Sequence, residues 1–77
     1  MNDIYITVEK KHQIMIRDIK NGRILSNNYI PEEIVHASLQ GDQIVVQTDK
    51  STIVLKRVGR YHPSFSVYSR RGNGFGK

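Results

Sequence analysis

The chain has no cysteine and no tryptophan, only two prolines, and no unbroken aliphatic run longer than three residues. Without cysteine there are no disulfides and no thiolate metal sites, and a reducing compartment is compatible with the sequence; the expectation is a cytoplasmic protein. Runs as short as Ile14-Met15-Ile16 and Ile53-Val54-Leu55 build neither a membrane-spanning helix nor the core of a signal peptide, so no transmembrane segment is expected. Length is short as well. Seventy-seven residues make one small domain and leave no room for a large enclosed active site.

Acid is missing from the last third. Residues 51–77 carry Lys56, Arg57, Arg60, Arg70, Arg71 and Lys77 with no Asp or Glu, a balance of +6. Residues 1–50 hold six Lys and Arg against seven acids, so the whole excess of the +5 chain belongs to its C-terminal segment. A one-sided basic segment attracts polyanions; a solubilising tail has the same composition.

What is abundant is branching at Cβ. Ten Ile, seven Val and three Thr stand against three Leu and one Ala. Such side chains fit a pleated sheet and lose rotamer freedom in a helix. Alternation agrees: Ile4, Ile6 and Val8 interleave with Tyr5 and Thr7. A three-residue loop at Lys10-Lys11-His12 sets Val8 opposite Ile14 and Ile6 opposite Ile16. Asn21-Gly22 marks the next turn, and a four-residue loop over 19–22 sets Asp18 opposite Arg23 and Ile16 opposite Leu25. Two-residue turns at Gly41-Asp42 and Asp49-Lys50 pair Leu39 with Ile44, Ala37 with Val46, Val35 with Thr48, Val46 with Ile53 and Ile44 with Leu55. One apolar face then runs through Val35, Ala37, Leu39, Ile44, Val46, Ile53 and Leu55. The expected core is Ile6, Ile16, Leu39, Ile44, Val46, Ile53 and Leu55.

The expected fold is all-β, a small antiparallel meander of five to seven strands forming an open sheet, a barrel or a blade-like sheet. One alternative is α+β. Pro31-Glu32-Glu33 and the Gly41 after Gln40 have the punctuation of a short helix over residues 31–40. The weak helix propensity of Ile, Val, His and Ser, and the shared register of residues 35–55, favour strand. The domain reading is a β domain over residues 1–60, an edge strand within 61–69, and a flexible, basic, Gly-rich tail over 70–77.

Aligned with itself at an offset of 39, the chain matches Ile14-Met15-Ile16-Arg17-Asp18-Ile19 to Ile53-Val54-Leu55-Lys56-Arg57-Val58, with character kept at five of six positions. The pattern Ile14-x-Ile16-Arg17-Asp18-Ile19-x-x-Gly22-x-x-Leu25 resembles the outer strand and turn of a WD-repeat β-propeller blade. Residues 41–55 resemble the two strands that precede it in the next blade. The resemblance covers residues 4–58, with Arg17 where the family has tryptophan and Lys56-Arg57 in place of the Trp-Asp pair. It implies a blade-like sheet of about one and a half blades, and a propeller only if several chains assemble.

Catalytic signals are weak. His12, His36 and His62 have no local metal-ligand spacing, Glu32 and Glu33 point apart on an extended chain, and the serines lie in no nucleophile motif. No enzyme activity, cofactor or metal is expected. The aromatic residues are more telling. Four of six lie in the C-terminal third: Tyr61, Phe65, Tyr68 and Phe75, interleaved with basic residues. Cations along phosphates and bases stacked on rings are how single strands are held. The candidate nucleic-acid-binding residues are Arg60, Tyr68, Arg70, Arg71 and Phe75, with RNA or single-stranded DNA as partner. The alternative is a protein-interaction or assembly module, a homo-oligomer joined through open sheet edges.

Overall fold

The computed structural model describes residues 3–59 and 64–72. Within them the protein is all-β, with strands β1 (Ile4–Glu9), β2 (Gln13–Asp18), β3 (Ile24–Tyr29), β4 (Ile34–Gln40), β5 (Gln43–Thr48), β6 (Ser51–Val58) and β7 (Ser64–Gly72). They form two antiparallel meanders, a three-stranded sheet in the order β1-β2-β3 and a four-stranded sheet in the order β4-β5-β6-β7. Residues 34–40 form a strand, so the helical alternative falls away.

Both sheets turn their aliphatic faces to one core. Ile4, Ile14 and Ile16 come from the three-stranded sheet; Ile34, Ile44, Val46, Ile53, Leu55 and Phe65 come from the four-stranded one, and Ile30 comes from the link between them. Ile6 and Leu39, expected in the core, are only partly buried against it. Both stand on edge strands, β1 and β4, which have a hydrogen-bonded neighbour on one side only.

Most of the expected pairing is present. Ile6 faces Ile16, Val8 faces Ile14, Ala37 faces Val46, Leu39 faces Ile44, Val46 faces Ile53 and Ile44 faces Leu55. Two expected pairs are replaced. Ile16 faces Ser26 rather than Leu25, and Thr48 faces Ile34 rather than Val35, because each ladder slips by one residue at a bulge. The extra residue is turned out of the core, leaving Val35 69% exposed.

The turns explain the chain's punctuation. Gly22 and Gly41 have φ of 74° and 62°, left-handed values that glycine adopts without a Cβ clash. Lys10 and Lys11 have φ of 52° and 63° at the tip of the β1-β2 hairpin, where a side chain is strained. That tip docks on the link between the sheets. Ile30 N–H donates to His12 O (2.6 Å), Ile34 N–H donates to Lys11 O (2.8 Å), and the His12 ring bonds Ile30 O through Nδ1 (2.9 Å). Ile30 of the link and Ile34 at the start of β4 therefore close one end of the core.

Candidate nucleic-acid interface

None of the seven acids lies in a strand of the four-stranded sheet, whereas Lys56, Arg57, Arg70 and Arg71 all do. Strand alternation sorts these four cations between the faces. Arg57 continues the inward series Ser51, Ile53, Leu55 and reaches Asp3 through two hydrogen bonds of 3.3 and 3.2 Å. This contact holds the Asp3 carboxyl below its ordinary value and raises Arg57 above its own. Arg70 pairs with the inward-facing Ile53 and binds the Glu32 carboxylate. Lys56 and Arg71 belong to the outer face, and no acid of the described residues pairs with either of them.

β7 is what brings aromatic and basic groups together. It continues to Gly72, three residues past the expected edge strand, so Arg70 and Arg71 are part of the sheet. Up to Val67, opposite Leu55, β7 keeps simple alternation. Beyond it Ser69 faces Val54, leaving Tyr68 as the extra residue of a bulge. The bulge reverses the sidedness of everything after it. Uninterrupted alternation would turn Arg70 outward with Tyr68 and Arg71 inward; the bulge turns Arg70 in and Arg71 out.

Tyr68 is 64% exposed, and the Lys56 ammonium lies 3.9 Å from its ring centroid. The cation is held by the ring's electron-rich face. Arg71 lies opposite Thr52 and Lys56 opposite Ser66, so the two cations stand toward opposite ends of the β6-β7 pair. Thr52 and Lys56 are four residues apart, about 13 Å along a strand. The rest of the outer face carries no Lys, Arg, Asp or Glu among the described strand residues: exposed His36, Gln43, Gln47, Thr52, Ser66 and Ser69 lie around a half-buried Val45–Val54 pair. Such a surface offers two cations, a ring and amide hydrogen-bonding groups, and no acid stands in the described strands that form it.

On the inner side, Glu32 ties three segments together. Its Oε1 accepts from Ser51 Oγ (2.5 Å) and Thr48 Oγ1 (2.6 Å), and its Oε2 accepts from Arg70. The Ser51 and Thr48 hydroxyls, and after them Arg70, hold the Glu32 carboxyl down to about 2 against the opposing effect of burial. Thr48 Oγ1 in turn accepts from the backbone of Lys50 (3.1 Å) and Ser51 (2.9 Å), closing the β5-β6 turn.

Of the five candidates from the sequence, Tyr68 and Arg71 share the outer face, where the Tyr68 ring contacts Lys56, and Arg70 lies on the inner one. Arg60 and Phe75 lie outside the described residues. Sequence reasoning misses Lys56. The signal for it is the aromatic partner on the neighbouring strand, which only the β6-β7 register reveals. In the sequence Glu32 reads as local punctuation after Pro31, because its partners lie 16, 19 and 38 residues away. Comparison of the chain with protein-family models, with curated proteins and with solved structures finds no match.

Proposed function

We propose that this protein binds single-stranded nucleic acid, RNA or DNA, through the outer face of its four-stranded sheet, without catalysis and without strong sequence preference. The observation that carries this reading is the sorting of charge. The two inward cations of the sheet are each matched by an acid, whereas the two outward ones flank an exposed tyrosine on a face without acids. Lys56 and Arg71 supply phosphate contacts and Tyr68 a stacking surface, with Arg60 and Phe75 from the same basic segment extending the contact. Stacking on one ring contributes about 1–3 kcal/mol per base, and a duplex, whose bases are already stacked on each other, gains none of it.

The test compares a labelled single strand with its own duplex at low salt, using the intact protein and Tyr68→Ala. The single strand is expected to bind more tightly than the duplex, with Tyr68→Ala removing that preference. Equal affinity for both, unaffected by Tyr68→Ala, would contradict it.

A second reading is assembly. Two open sheets leave β1, β3, β4 and β7 as edge strands, and unpaired edges invite pairing with another chain. Apolar edge pairing resists salt, whereas phosphate binding weakens with it. A solution mass above that of one chain, unchanged at high salt, would favour assembly.

A further inference from the structure

We propose that Glu32 decides which arginine faces the ligand: by capturing Arg70 it holds the Tyr68 bulge in place and so commits Arg71 to the outer face. This rests on the nucleic-acid reading above.

A strand ending in Arg-Arg has two registers of similar content. In the straight one Arg70 is outward and Arg71 inward; in the bulged one the roles exchange, because a one-residue slip swaps every side chain between faces. The β7 side chains themselves give little reason to choose. From Ser66 to Gly72 every residue is exposed, and Phe65, the only buried residue of the strand, lies before the bulge. It is anchored there on either register, with its carbonyl accepting from Asn28 Nδ2 (2.9 Å). One side-chain tie beyond the bulge is Arg70 to Glu32.

Glu32 is built to hold that tie. Its other oxygen is fixed by two buried residues, Thr48 and Ser51, so the carboxylate cannot swing to track a wandering strand. The link that carries it is pinned on both sides, by Lys11 O at Ile34 N–H and by Asp49 N–H at Glu33 O (3.0 Å). Arg70 is therefore a positioning residue, and Arg71 is a ligand contact.

The two roles give opposite signs in one experiment. A labelled single-stranded oligonucleotide is titrated with the full chain and with Glu32→Gln, Arg70→Gln and Arg71→Gln at several salt concentrations. In the same proteins the cross-strand contact between Val54 and Ser69, which marks the bulge, is monitored by nuclear Overhauser effects.

Arg71→Gln is expected to weaken binding and to lower the log–log salt slope by about 0.7, the share of one phosphate contact on a single strand. Arg70→Gln and Glu32→Gln are each expected to weaken binding about fivefold by depopulating the competent register, with the Val54–Ser69 contact diminished. In the Glu32→Gln background, adding Arg71→Gln has less effect than in the parent, so the two substitutions are not additive.

Were Arg70 a phosphate contact instead, Glu32→Gln would release it and tighten binding, and Arg70→Gln would lower the slope; either result overturns the proposal. An unchanged Val54–Ser69 contact in both Glu32→Gln and Arg70→Gln overturns it as well, whether or not nucleic acid binds. If the parent protein fails to bind at low salt, the functional reading itself is refuted, and the assignment of Arg71 as a contact goes with it.

Discussion

Val45 and Val46 are adjacent on β5 and point to opposite faces, so one substitution made at each position tests the register of the whole four-stranded sheet. Val46 is fully buried between Ala37 on β4 and Ile53 on β6, whereas Val45 is half-buried on the outer face between Ser38 and Val54. In Val46→Asp the carboxyl enters an apolar layer. On its own strand the nearest inward hydroxyl, Thr48, is already donated to Glu32. Burying even a neutral polar group without a partner costs roughly 2–7 kcal/mol, and a carboxylate costs more. A 77-residue chain at ordinary stability per residue has about 4–12 kcal/mol in total. Val46→Asp should therefore unfold most of the population at room temperature. Val45→Asp keeps its carboxyl in water and should cost about 1 kcal/mol, the span of strand propensity. Urea melts monitored by circular dichroism measure both. The register is wrong if Val46→Asp leaves the midpoint in place, or if Val45→Asp is equally damaging.

The strained hairpin tip offers a gain instead of a loss. Replacing Lys10-Lys11 by Asn-Gly suits two consecutive positive φ angles and should stabilise the fold by about 1 kcal/mol, read as a higher melting temperature. Acid should act through Glu32. Its carboxyl is held at about 2 against an ordinary 4.5, so its contribution is complete above the ordinary value and is lost as pH falls from there toward the lower one. Urea midpoints measured across that range should fall in the parent and fall less steeply in Glu32→Gln. Truncation should expose the value of the Arg70 tie: a chain ending at residue 69 loses Arg70 and should melt below one ending at residue 72, which keeps it. Val45→Asp, beyond its mild effect on stability, introduces an acid on the outer face and should weaken oligonucleotide binding.

Much of this architecture was legible in the sequence because its strands are half-buried, and half-buried strands alternate. The hairpin pairs Ile6–Ile16, Leu39–Ile44 and Val46–Ile53 come from period-two patterning and from the turns read at Lys10-Lys11-His12, Gly41-Asp42 and Asp49-Lys50. What alternation cannot contain is a bulge. Three strands carry one, and in each a hydrophobic residue is left over and exposed: Leu25, Val35 and Tyr68. The first two displace expected core pairs. The third decides the candidate site, since it exchanges the faces of Arg70 and Arg71. The Glu32 cluster is hidden for another reason. Its hydroxyl and guanidinium partners are distant in the chain and meet only because the link crosses beneath the β5-β6 turn and the end of β7. The basic, aromatic character of the last third is plain in composition; the division of its cations between a matched inner face and an unmatched outer one is not.

The most direct test of the central claim is the salt dependence of oligonucleotide binding by the parent chain and by the double variant Lys56→Gln/Arg71→Gln, measured by fluorescence anisotropy. The parent should bind a single strand at low salt, with a log–log slope no steeper than about −4, the limit for the six basic residues of the C-terminal segment. The double variant, folded as judged by its urea midpoint, should bind more weakly with a slope shallower by about 1.4, the share of two phosphate contacts. Absence of binding by the parent at low salt, or a double variant with the parent's affinity and slope, would contradict the account.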